Sequence, residues 1–479
     1  MSSAAVVYPR GDAESDGDDE DDSALLRAGS SDVEREADGL TLRETAAMAC
    51  KKIDIGTAVM YQPLFQADVE DFGGKESLLD VVQTVASTHY SRVIEQEFNA
   101  VVIEHHLKWA PLCVSEPGPL PDSKSSDRLG RYDFHYADRI VDWCIDHKIQ
   151  KIKGHVLVWH VTSPKFLEKM TPEQVRKELK RHIFTVVGHF RGRITCWDVV
   201  NESLAPDGTL AENVFFRKLG PGYVEECFRY AHEADPSAIL LYNDNKVEGI
   251  GSPKSEGFYE LMADLTAKNV PIHGCGIQAH FNAAGTGRNR PPTPYQVKQQ
   301  IHRLGELGLS VNISEMDVRV SRLPSLKEQA QCQIYHDILA AALSEPSFDG
   351  IWLWGFTDRH TWVHSFYYDD EPCIFDEAYQ RKQAYYGVRD ALSTLTPGGY
   401  VGGSNVTLHD NTDANGDRWG HLWMQPEREE DEAGVSNGDA RPDWEQADDD
   451  ESADERDETM SEGNDDLLVV ANTNLPPIS

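Results

Sequence analysis

The segments ITCWDVVNE (Ile194–Glu202) and VNISEMD (Val311–Asp317) decide the fold. Each is rich in β-branched and apolar residues and breaks off at carboxylates, Glu202 in the first and Glu315 in the second. Such runs are typical of strands that are buried on both faces of a parallel sheet. Because a buried strand cannot hold an unpaired charge in its interior, these end carboxylates are expected to face a cleft.

Eight predicted strands alternate with helices between about residues 40 and 397. The strands are Ile53–Val59, Phe98–Glu104, Ile152–Trp159, Ile194–Glu202, Ile239–Asp244, Gly274–His280, Leu309–Val318 and Gly350–Gly355. The amphipathic stretches between them include Tyr136–Lys148, Thr171–Phe190, Tyr223–Ala234, Tyr295–Leu307 and Leu326–Ser344. This alternation predicts an α/β fold, a (β/α)8 TIM barrel. A doubly wound open sheet is the alternative, but no glycine-rich phosphate loop follows the first strand.

Polar and aromatic side chains collect where the predicted strands end. They are Glu104, Lys108, His155, Trp159, Asn201, Glu202, Asn243, Asp244, His280, Glu315, Asp317 and Trp354. A single polar residue at a strand end is often only a satisfied side chain, but here at least six strands agree. Since barrel enzymes hold their active sites at the carboxyl ends of the strands, the sequence predicts one site at that face.

Glu202 and Glu315 suit the cleavage of a glycosidic bond, which takes two carboxyl groups. A gap of about 5–5.5 Å gives double displacement with retention and about 6.5–9.5 Å gives inversion, and the sequence leaves this open. An imidazole from His280, at the end of the neighbouring strand, could bridge Glu315 and Asp317 and keep Glu315 ionised as a nucleophile. Glu202 follows an apolar run, which predicts a setting that favours its protonated form, as an acid requires.

Both ends of the chain are strongly acidic. The net charge is −36; residues 1–40 hold 12 acidic and 3 basic side chains, and residues 427–466 hold 19 and 3. Since both are poor in apolar residues, we predict disordered tails over 1–39 and 398–479 around one catalytic domain, 40–397. The acidic balance argues against a nucleic-acid partner. No apolar stretch approaches the roughly 18 residues of a membrane helix.

Neither a cofactor nor a metal is predicted. The eight cysteines are scattered without a CxxC pair, which fits neither a zinc site nor a small disulfide scaffold. His105 and His106 are adjacent on a predicted strand and should point to opposite faces, so joint metal ligation is not expected. The first residues show neither the basic start nor the apolar core of a signal peptide. The compartment is therefore left open.

Six motifs together resemble glycoside hydrolase family 10, the retaining endo-β-1,4-xylanases with a (β/α)8 fold. They are GHVLVWH (154–160), WDVVNE (197–202), LLYNDN (240–245), GIQAH (276–280), ISEMD (313–317) and LWGFTD (353–358). They occur in family order and span nearly all of residues 40–397. The resemblance implies a xylan or xylo-oligosaccharide substrate, no cofactor and, from the family's role, an extracellular location.

The resemblance also implies residue roles. Glu202 would be the general acid/base, Glu315 the nucleophile, and Asn201 the group that bonds the sugar 2-hydroxyl. Asp317 would support Glu315 through His280. The other walls of that subsite would be His155, Trp159, Gln278, His280, Trp354 and Trp362. Glu104 and Lys108 would line the neighbouring subsite on the non-reducing side.

Three positions depart from the family pattern. The second-strand motif commonly reads Glu-Asn-x-x-Lys-Trp, whereas this chain has EHHLKW, so His105 replaces the asparagine at a substrate-binding position. Thr162 stands where a glutamine is frequent, and Phe166 where a tryptophan is common. His105 and Thr162 fall in one subsite, one sugar from the cut. We therefore predict retained activity with altered affinity or sugar preference there.

Other functions stay open on the sequence alone. One is a relative tuned to another β-linked xylan or a mixed-linkage substrate, and a second is a polysaccharide-binding protein without turnover. A third, a metal-dependent barrel hydrolase, lacks a His-x-His pair on an early strand. No obligate partner is indicated, so a monomer is expected.

Overall fold

The computed structural model describes residues 39–66, 88–114, 132–285, 291–323, 325–367 and 369–396. Apart from Gly39, the predicted tails 1–39 and 398–479 lie outside these residues, and their disorder stays a prediction. The helices and strands given below all belong to one compact unit that begins at Thr41.

Nine strands lie in the described part of the chain, and all pair in parallel. They are β1 Asp54–Val59, β2 Ala100–Ile103, β3 Lys151–Gly154, β4 Cys196–Asn201, β5 Ile239–Asp244, β6 Gly274–Ile277, β7 His280–Asn282, β8 Ser310–Arg319 and β9 Phe348–Leu353. Eight of them close a barrel in the order β1-β2-β3-β4-β5-β6-β8-β9, since β9 pairs back with β1. The short β7 pairs with the upper part of β8, with His280 opposite Asp317. The predicted (β/α)8 TIM barrel is confirmed.

Helices connect the strands. They are α1 Leu42–Met48, α2 Tyr61–Phe65, α3 His89–Glu97, α4 Trp109–Leu112, α5 His135–Asp146, α6 Pro172–Phe190, α7 Val214–Leu219, α8 Tyr223–Ala234, α9 Pro253–Ala267, α10 Pro294–Glu306, α11 Lys327–Leu343, α12 Val363–Tyr367 and α13 Gln383–Ser393. Short 3₁₀ turns lie at Lys165–Lys169 and Asp358–His360. None of the helices in these ranges has the length and apolarity that a membrane crossing needs.

Capping residues fix where three long loops end. Thr171, Ser252 and Thr293 each accept a hydrogen bond from a backbone N–H of the first turn of α6, α9 and α10, and a proline follows each of them. Such caps satisfy N–H groups that have no partner within the helix, and proline suits the first helical position. The loops at the carboxyl ends of β3, β5 and β7 are therefore held at their far ends.

Small and aromatic side chains fill part of the barrel interior. This inner cluster consists of Ala58, Ala100, Val102, Trp352 and Trp354. It is separate from the larger core in which the strands pack against the helices. Gly56 is required beside it, because a Cβ there would lie 2.4 Å from the Trp352 ring. A buried Lys153 Nζ lies 4.6 Å from the centroid of the same ring.

The third strand is shorter than predicted. It ends at Gly154 rather than Trp159. A Cβ at Gly154 would lie 2.2 Å from the Trp197 ring, and the next residue, His155, bonds Asp198 through its side chain. The ladder resumes only where Leu157 N–H donates to the Asp198 carbonyl at 3.1 Å. His155 and Trp159 therefore lie on a segment above the strand.

The sixth predicted strand is divided in two. Ala279 has φ +67° between β6 and β7, a left-handed conformation that interrupts an extended strand. Its N–H donates to Oε1 of Glu248 at 2.9 Å, which compensates for the lost ladder bond. His280 therefore begins β7 rather than ending the strand before it.

Candidate active site

One wall of the site is built on β8, where His280 joins two carboxylates. Its Nε2 lies 3.2 Å from Oε2 of Glu315, and its Nδ1 lies 2.8 Å from Oδ2 of Asp317. Nε1 of Trp362 donates to the same Asp317 oxygen at 2.7 Å. The other Glu315 oxygen, Oε1, accepts from Nδ2 of Asn243 at 2.6 Å. The bridge predicted from strand alternation is present, and both Glu315 oxygens have partners.

The charges of this wall stabilise one another. Burial alone would raise the pKa of Glu315, but the hydrogen bond to His280 and the charge interactions with His155 and His280 outweigh it and hold this pKa below its ordinary value. Burial also opposes the charged form of His280, but Asp317 and Glu315 raise its pKa to about 10. At neutral pH His280 is therefore an imidazolium, and it lies between the carboxyl groups of Glu315 and Asp317.

Replacing Asp317 by asparagine is expected to remove a pH-dependent part of the stability. The pKa of His280 is raised from 6.5 to about 10. The contribution of its protonated ring to the free energy of unfolding is therefore complete below pH 6.5 and is lost as the pH rises through 10. The free energy of unfolding of the wild type should exceed that of Asp317→Asn by about 2 kcal/mol at pH 6, and the difference should shrink towards pH 10. Urea unfolding between these pH values measures it. A difference that is constant with pH would contradict the imidazolium bridge.

Glu202 follows β4 on the opposite wall. Its backbone is left-handed, with φ +52°, and its N–H donates to the Asn243 carbonyl at 3.0 Å. Nε1 of Trp159 donates to Oε2 of Glu202 at 2.9 Å, and Nε2 of Gln278 donates to Oε1 at 2.7 Å. The prediction of an apolar setting for Glu202 is therefore wrong. Trp197, on β4, packs in the core between the strands and the helices, whereas the carboxyl group of Glu202 accepts hydrogen bonds from polar donors.

An amide network connects the two walls. Oδ1 of Asn201 accepts from Nδ2 of Asn243 at 2.9 Å and from Nε2 of Gln278 at 3.3 Å. Asn243 also donates to Glu315, and Gln278 to Glu202, so Asn201 lies between the glutamates. Both of these bonds use its oxygen, which leaves the Nδ2 group of Asn201 able to donate to a sugar hydroxyl.

Asn243 was placed at the predicted site face, but no role was predicted for it. Oγ of Ser314 donates to its Oδ1 at 2.6 Å, which turns its Nδ2 group towards Glu315. Gly276 makes room for it, since a Cβ there would lie 2.2 Å from Oδ1 of Asn243. The available signal was its position at the end of β5, inside LLYNDN.

Aromatic rings and His155 form the base of the site. The His155 and Trp354 rings meet edge to face with centroids 4.9 Å apart, and Nδ1 of His155 lies 2.9 Å from Oδ2 of Asp198. The Trp362 and His280 rings are 5.0 Å apart. Trp354 is only 7% exposed and belongs to the inner cluster, so it is part of the barrel core. It serves as the uppermost layer of the core and as a wall of the site.

The predicted neighbouring subsite follows β2. Nζ of Lys108 lies 4.8 Å from the centroid of the Trp159 ring, and Lys108 is buried. Glu104 is half-buried directly after β2. His105 is exposed in the turn that follows, and its carbonyl accepts from the Lys108 N–H at 3.0 Å. Lys108 therefore contacts the site through Trp159, while His105 lies on the surface, three residues before Lys108 in the chain.

Within the described ranges, no three His, Cys, Asp or Glu side chains are grouped so as to hold a metal ion. His105 and His106 meet edge to face, with ring centroids 5.5 Å apart. The His106 ring also packs against Tyr61 and Tyr136. All eight cysteines are free thiols. The absence of a cofactor stays a prediction.

The fold and the site together define a glycoside hydrolase: a (β/α)8 barrel with two glutamates on opposite walls of a polar, aromatic cleft. The chain belongs to glycosyl hydrolase family 10, whose family model matches residues 64–391.

Characterised relatives agree with this assignment. The chain is 35% identical over 310 residues to endo-1,4-beta-xylanase B of Thermotoga neapolitana, an alignment that covers 63% of this chain and 83% of the relative. Xylanase 10B of Thermotoga petrophila, solved with xylobiose, is similar in structure, with a TM-score of 0.62 and 32% identity over 74% of this chain and 98% of the other. A variant of TsXylA, an intracellular xylanase of Thermoanaerobacterium saccharolyticum, was solved with xylotetraose and gives a TM-score of 0.59 at 26% identity, covering 73% and 98%.

Proposed function

We propose that this protein is a retaining endo-1,4-β-xylanase that hydrolyses xylan or xylo-oligosaccharides by double displacement. Its family and the xylanase names of its relatives support the reaction class and the substrate. The observation that carries the roles is the unequal treatment of the two carboxyl groups. Glu315 is held ionised against a cationic His280, whereas Glu202 is held by the neutral donors Trp159 and Gln278.

In the first step, the Glu315 carboxylate attacks the anomeric carbon of the sugar on the non-reducing side. The bond from that carbon to the bridging oxygen breaks, and Glu202 gives its proton to the departing oxygen. A glycosyl ester of Glu315 remains. The Nδ2 group of Asn201 donates to the 2-hydroxyl of this sugar, a bond that strengthens in the transition state.

In the second step, the roles of the two glutamates reverse. Glu202, now ionised, takes a proton from a water molecule whose oxygen attacks the anomeric carbon, and the Glu315 ester bond breaks. Two inversions at one carbon give a product with the configuration of the substrate. Since the imidazolium of His280 remains against Glu315, it stabilises the departing carboxylate in this step.

Reducing-sugar release by the full chain tests the function. The substrates are β-1,4-xylan, β-1,3-xylan, mixed-linkage glucan and cellulose, and binding to each polymer is measured in parallel. We expect release from β-1,4-xylan and the largest rate there. Xylan binding without release from any polymer would contradict the proposal and make the cleft a holding site only.

Two of the three departures from the family pattern, His105 and Thr162, accept backbone hydrogen bonds from one short segment, residues 108–110. The Lys108 N–H bonds the His105 carbonyl, and the Ala110 N–H bonds the Thr162 carbonyl at 2.8 Å. Oγ1 of Thr162 is buried without a hydrogen-bond partner. This segment positions Lys108 against the Trp159 ring. We therefore propose that His105 and Thr162 alter the affinity for the sugar that lies one subsite from the cleaved bond, on the non-reducing side.

Restoring the usual asparagine in His105→Asn is expected to change kcat/KM on xylotriose and xylotetraose by about 2- to 10-fold, the value of one neutral hydrogen bond. His302→Asn is the control, because His302 lies on α10 with its side chain 54% exposed. Rates are measured on oligosaccharides of increasing length. Unchanged kinetics on all of them would contradict a role for His105 in the subsite.

We also propose that residues 40–397 form the catalytic domain and that the acidic segments 1–39 and 398–479 take no part in the chemistry. The match of the family model to residues 64–391 supports this division. The enzyme is proposed to act as a monomer.

A further inference from the structure

A buried chain of hydrogen bonds lies directly behind Glu202. Oγ of the next residue, Ser203, lies 2.7 Å from the hydroxyl of Tyr242, which donates to Oδ2 of Asp244 at 2.6 Å. Oδ1 of Asp244 lies 2.9 Å from Nζ of Lys254. Lys254 comes from the first turn of α9 and is 8% exposed, and Asp244 is fully buried. A buried ion pair is therefore linked by hydrogen bonds to Ser203, the residue that follows the proposed acid in the chain.

Both Asp244 and Lys254 interact electrostatically with Glu202. Burial raises the pKa of Asp244; Lys254 opposes this shift, and Glu202 adds to it. Burial would lower the pKa of Lys254, but Asp244 first and then Glu202 and Glu248 raise it above its ordinary value. Nζ of Lys254 also donates to Oδ1 of Asn245 at 2.7 Å, so the ammonium group is held in place.

We propose that Asp244 and Lys254 are positioning residues that set, with opposite signs, the pH range in which Glu202 can donate its proton. This inference rests on the proposed role of Glu202. Lys254 favours the carboxylate that exists after proton transfer, whereas Asp244 favours the protonated form before it.

The other groups that face Glu202 do not carry this effect. Trp159 and Gln278 are neutral donors. His160, on the segment above β3, has its pKa lowered by burial, which outweighs the attraction of Glu202, and is therefore neutral where the alkaline limb of activity lies. Across the cleft, Asp317 and Glu315 raise the pKa of His280 to about 10, so this imidazole stays cationic below that pH.

Three substitutions separate charge from structure. Lys254→Gln removes the positive charge but keeps a donor, Asp244→Asn removes the negative charge, and Lys254→Arg retains the charge with a changed shape. For each variant kcat/KM on xylotetraose is measured against pH. The alkaline limb is the fall of kcat/KM at high pH. Its midpoint should rise by about one pH unit in Lys254→Gln and fall by about one unit in Asp244→Asn. It should stay in place in Lys254→Arg.

Limbs that stay in place in both charge-removing variants, or that move in the same direction, would overturn the inference. A role in packing alone predicts lower stability in all three variants without shifts of opposite sign. If Lys254→Gln fails to fold, Asp244→Asn decides by the direction of its own shift. If both singles fail, the double variant, which leaves no buried charge unpaired, must fold and show a limb close to that of the wild type.

The failure of the proposed function would look different. In Glu202→Ala, assayed on an aryl β-xyloside whose leaving group needs no protonation, the alkaline limb should disappear. A limb that persists there would remove Glu202 from the role of acid and, with it, the basis of the proposed function. A limb that depends on Glu202 but ignores Asp244 and Lys254 overturns only the inference.

Discussion

Glu315→Gln is expected to lower kcat on xylan by roughly 10⁴- to 10⁶-fold, the size of loss that follows removal of a nucleophile. Glutamine keeps the shape of the side chain and can still accept from Asn243. The glutamine lacks the negative charge that the His280 imidazolium stabilises on Glu315, so it cannot attack the sugar and form the glycosyl ester. Initial rates of reducing-sugar release measure the loss, and calorimetric titration with a xylo-oligosaccharide should show that binding is kept.

The matched control for this substitution is Glu306→Gln. Glu306 lies at the end of α10 with its side chain 69% exposed, so the same chemical change there should leave the rate unaltered. Both variants are compared with the wild type by thermal unfolding. A folded Glu315→Gln protein that turns over at a rate close to wild type would exclude Glu315 as the nucleophile.

Glu202→Ala is expected to have the second largest effect, and it should depend on the leaving group. On xylan, where the departing sugar oxygen needs a proton, the loss should be roughly 10²- to 10⁴-fold. On an activated aryl β-xylobioside, the first step needs little assistance, so the second step becomes limiting and a burst of phenol should precede slow turnover. Rapid-mixing absorbance measurements record that burst.

Azide gives this prediction an independent check. The removed carboxyl group leaves space on the face that water normally attacks, and a small anion there needs no general base. Azide should accelerate turnover of Glu202→Ala and yield a β-xylosyl azide, with the configuration of the substrate. No acceleration together with an equal loss on both substrates would contradict the role of Glu202 as acid and base.

Much of the barrel could be predicted because buried parallel strands have a simple sequence signature. The predicted fifth strand, Ile239–Asp244, agrees residue for residue with β5, and the predicted Tyr223–Ala234 helix agrees with α8. The bounds of the third and sixth predicted strands are wrong, because the chain leaves regular strand structure where it forms the site. Residue 154 must be glycine because the Trp197 ring leaves no space for a Cβ, and Ala279 has a left-handed backbone. A pattern of apolar residues reveals neither feature.

The site was predicted better in its residues than in their surroundings. Strand alternation places Glu315 and Asp317 on one face, because residues two apart share a face. The predicted position of His280 at the end of the neighbouring strand brings it beside them. The donors around Glu202 could not be derived in this way. Trp159 and Gln278 come from other parts of the chain, and only the closed barrel brings them to one carboxyl group.

Asn243 shows the same limit. Its position at a strand end was visible in the sequence, but the direction of its amide depends on Ser314, and its space depends on Gly276. Both lie on other strands of the barrel. Long-range packing of this kind decides which of several strand-end residues contacts a reacting group.

The double displacement is tested most directly by trapping its intermediate. In a 2-deoxy-2-fluoro-β-xylobioside the 2-hydroxyl that stabilises the transition state is absent, and the fluorine slows both steps. An activated leaving group keeps the first step faster than the second, so the glycosyl-enzyme accumulates. Intact-protein mass spectrometry followed by peptide mapping should show one 2-deoxy-2-fluoroxylobiosyl group attached to Glu315, with the activated leaving group released. Turnover of an ordinary substrate without any trapped adduct, or an adduct on another residue, would contradict the assignment of Glu315 as the nucleophile.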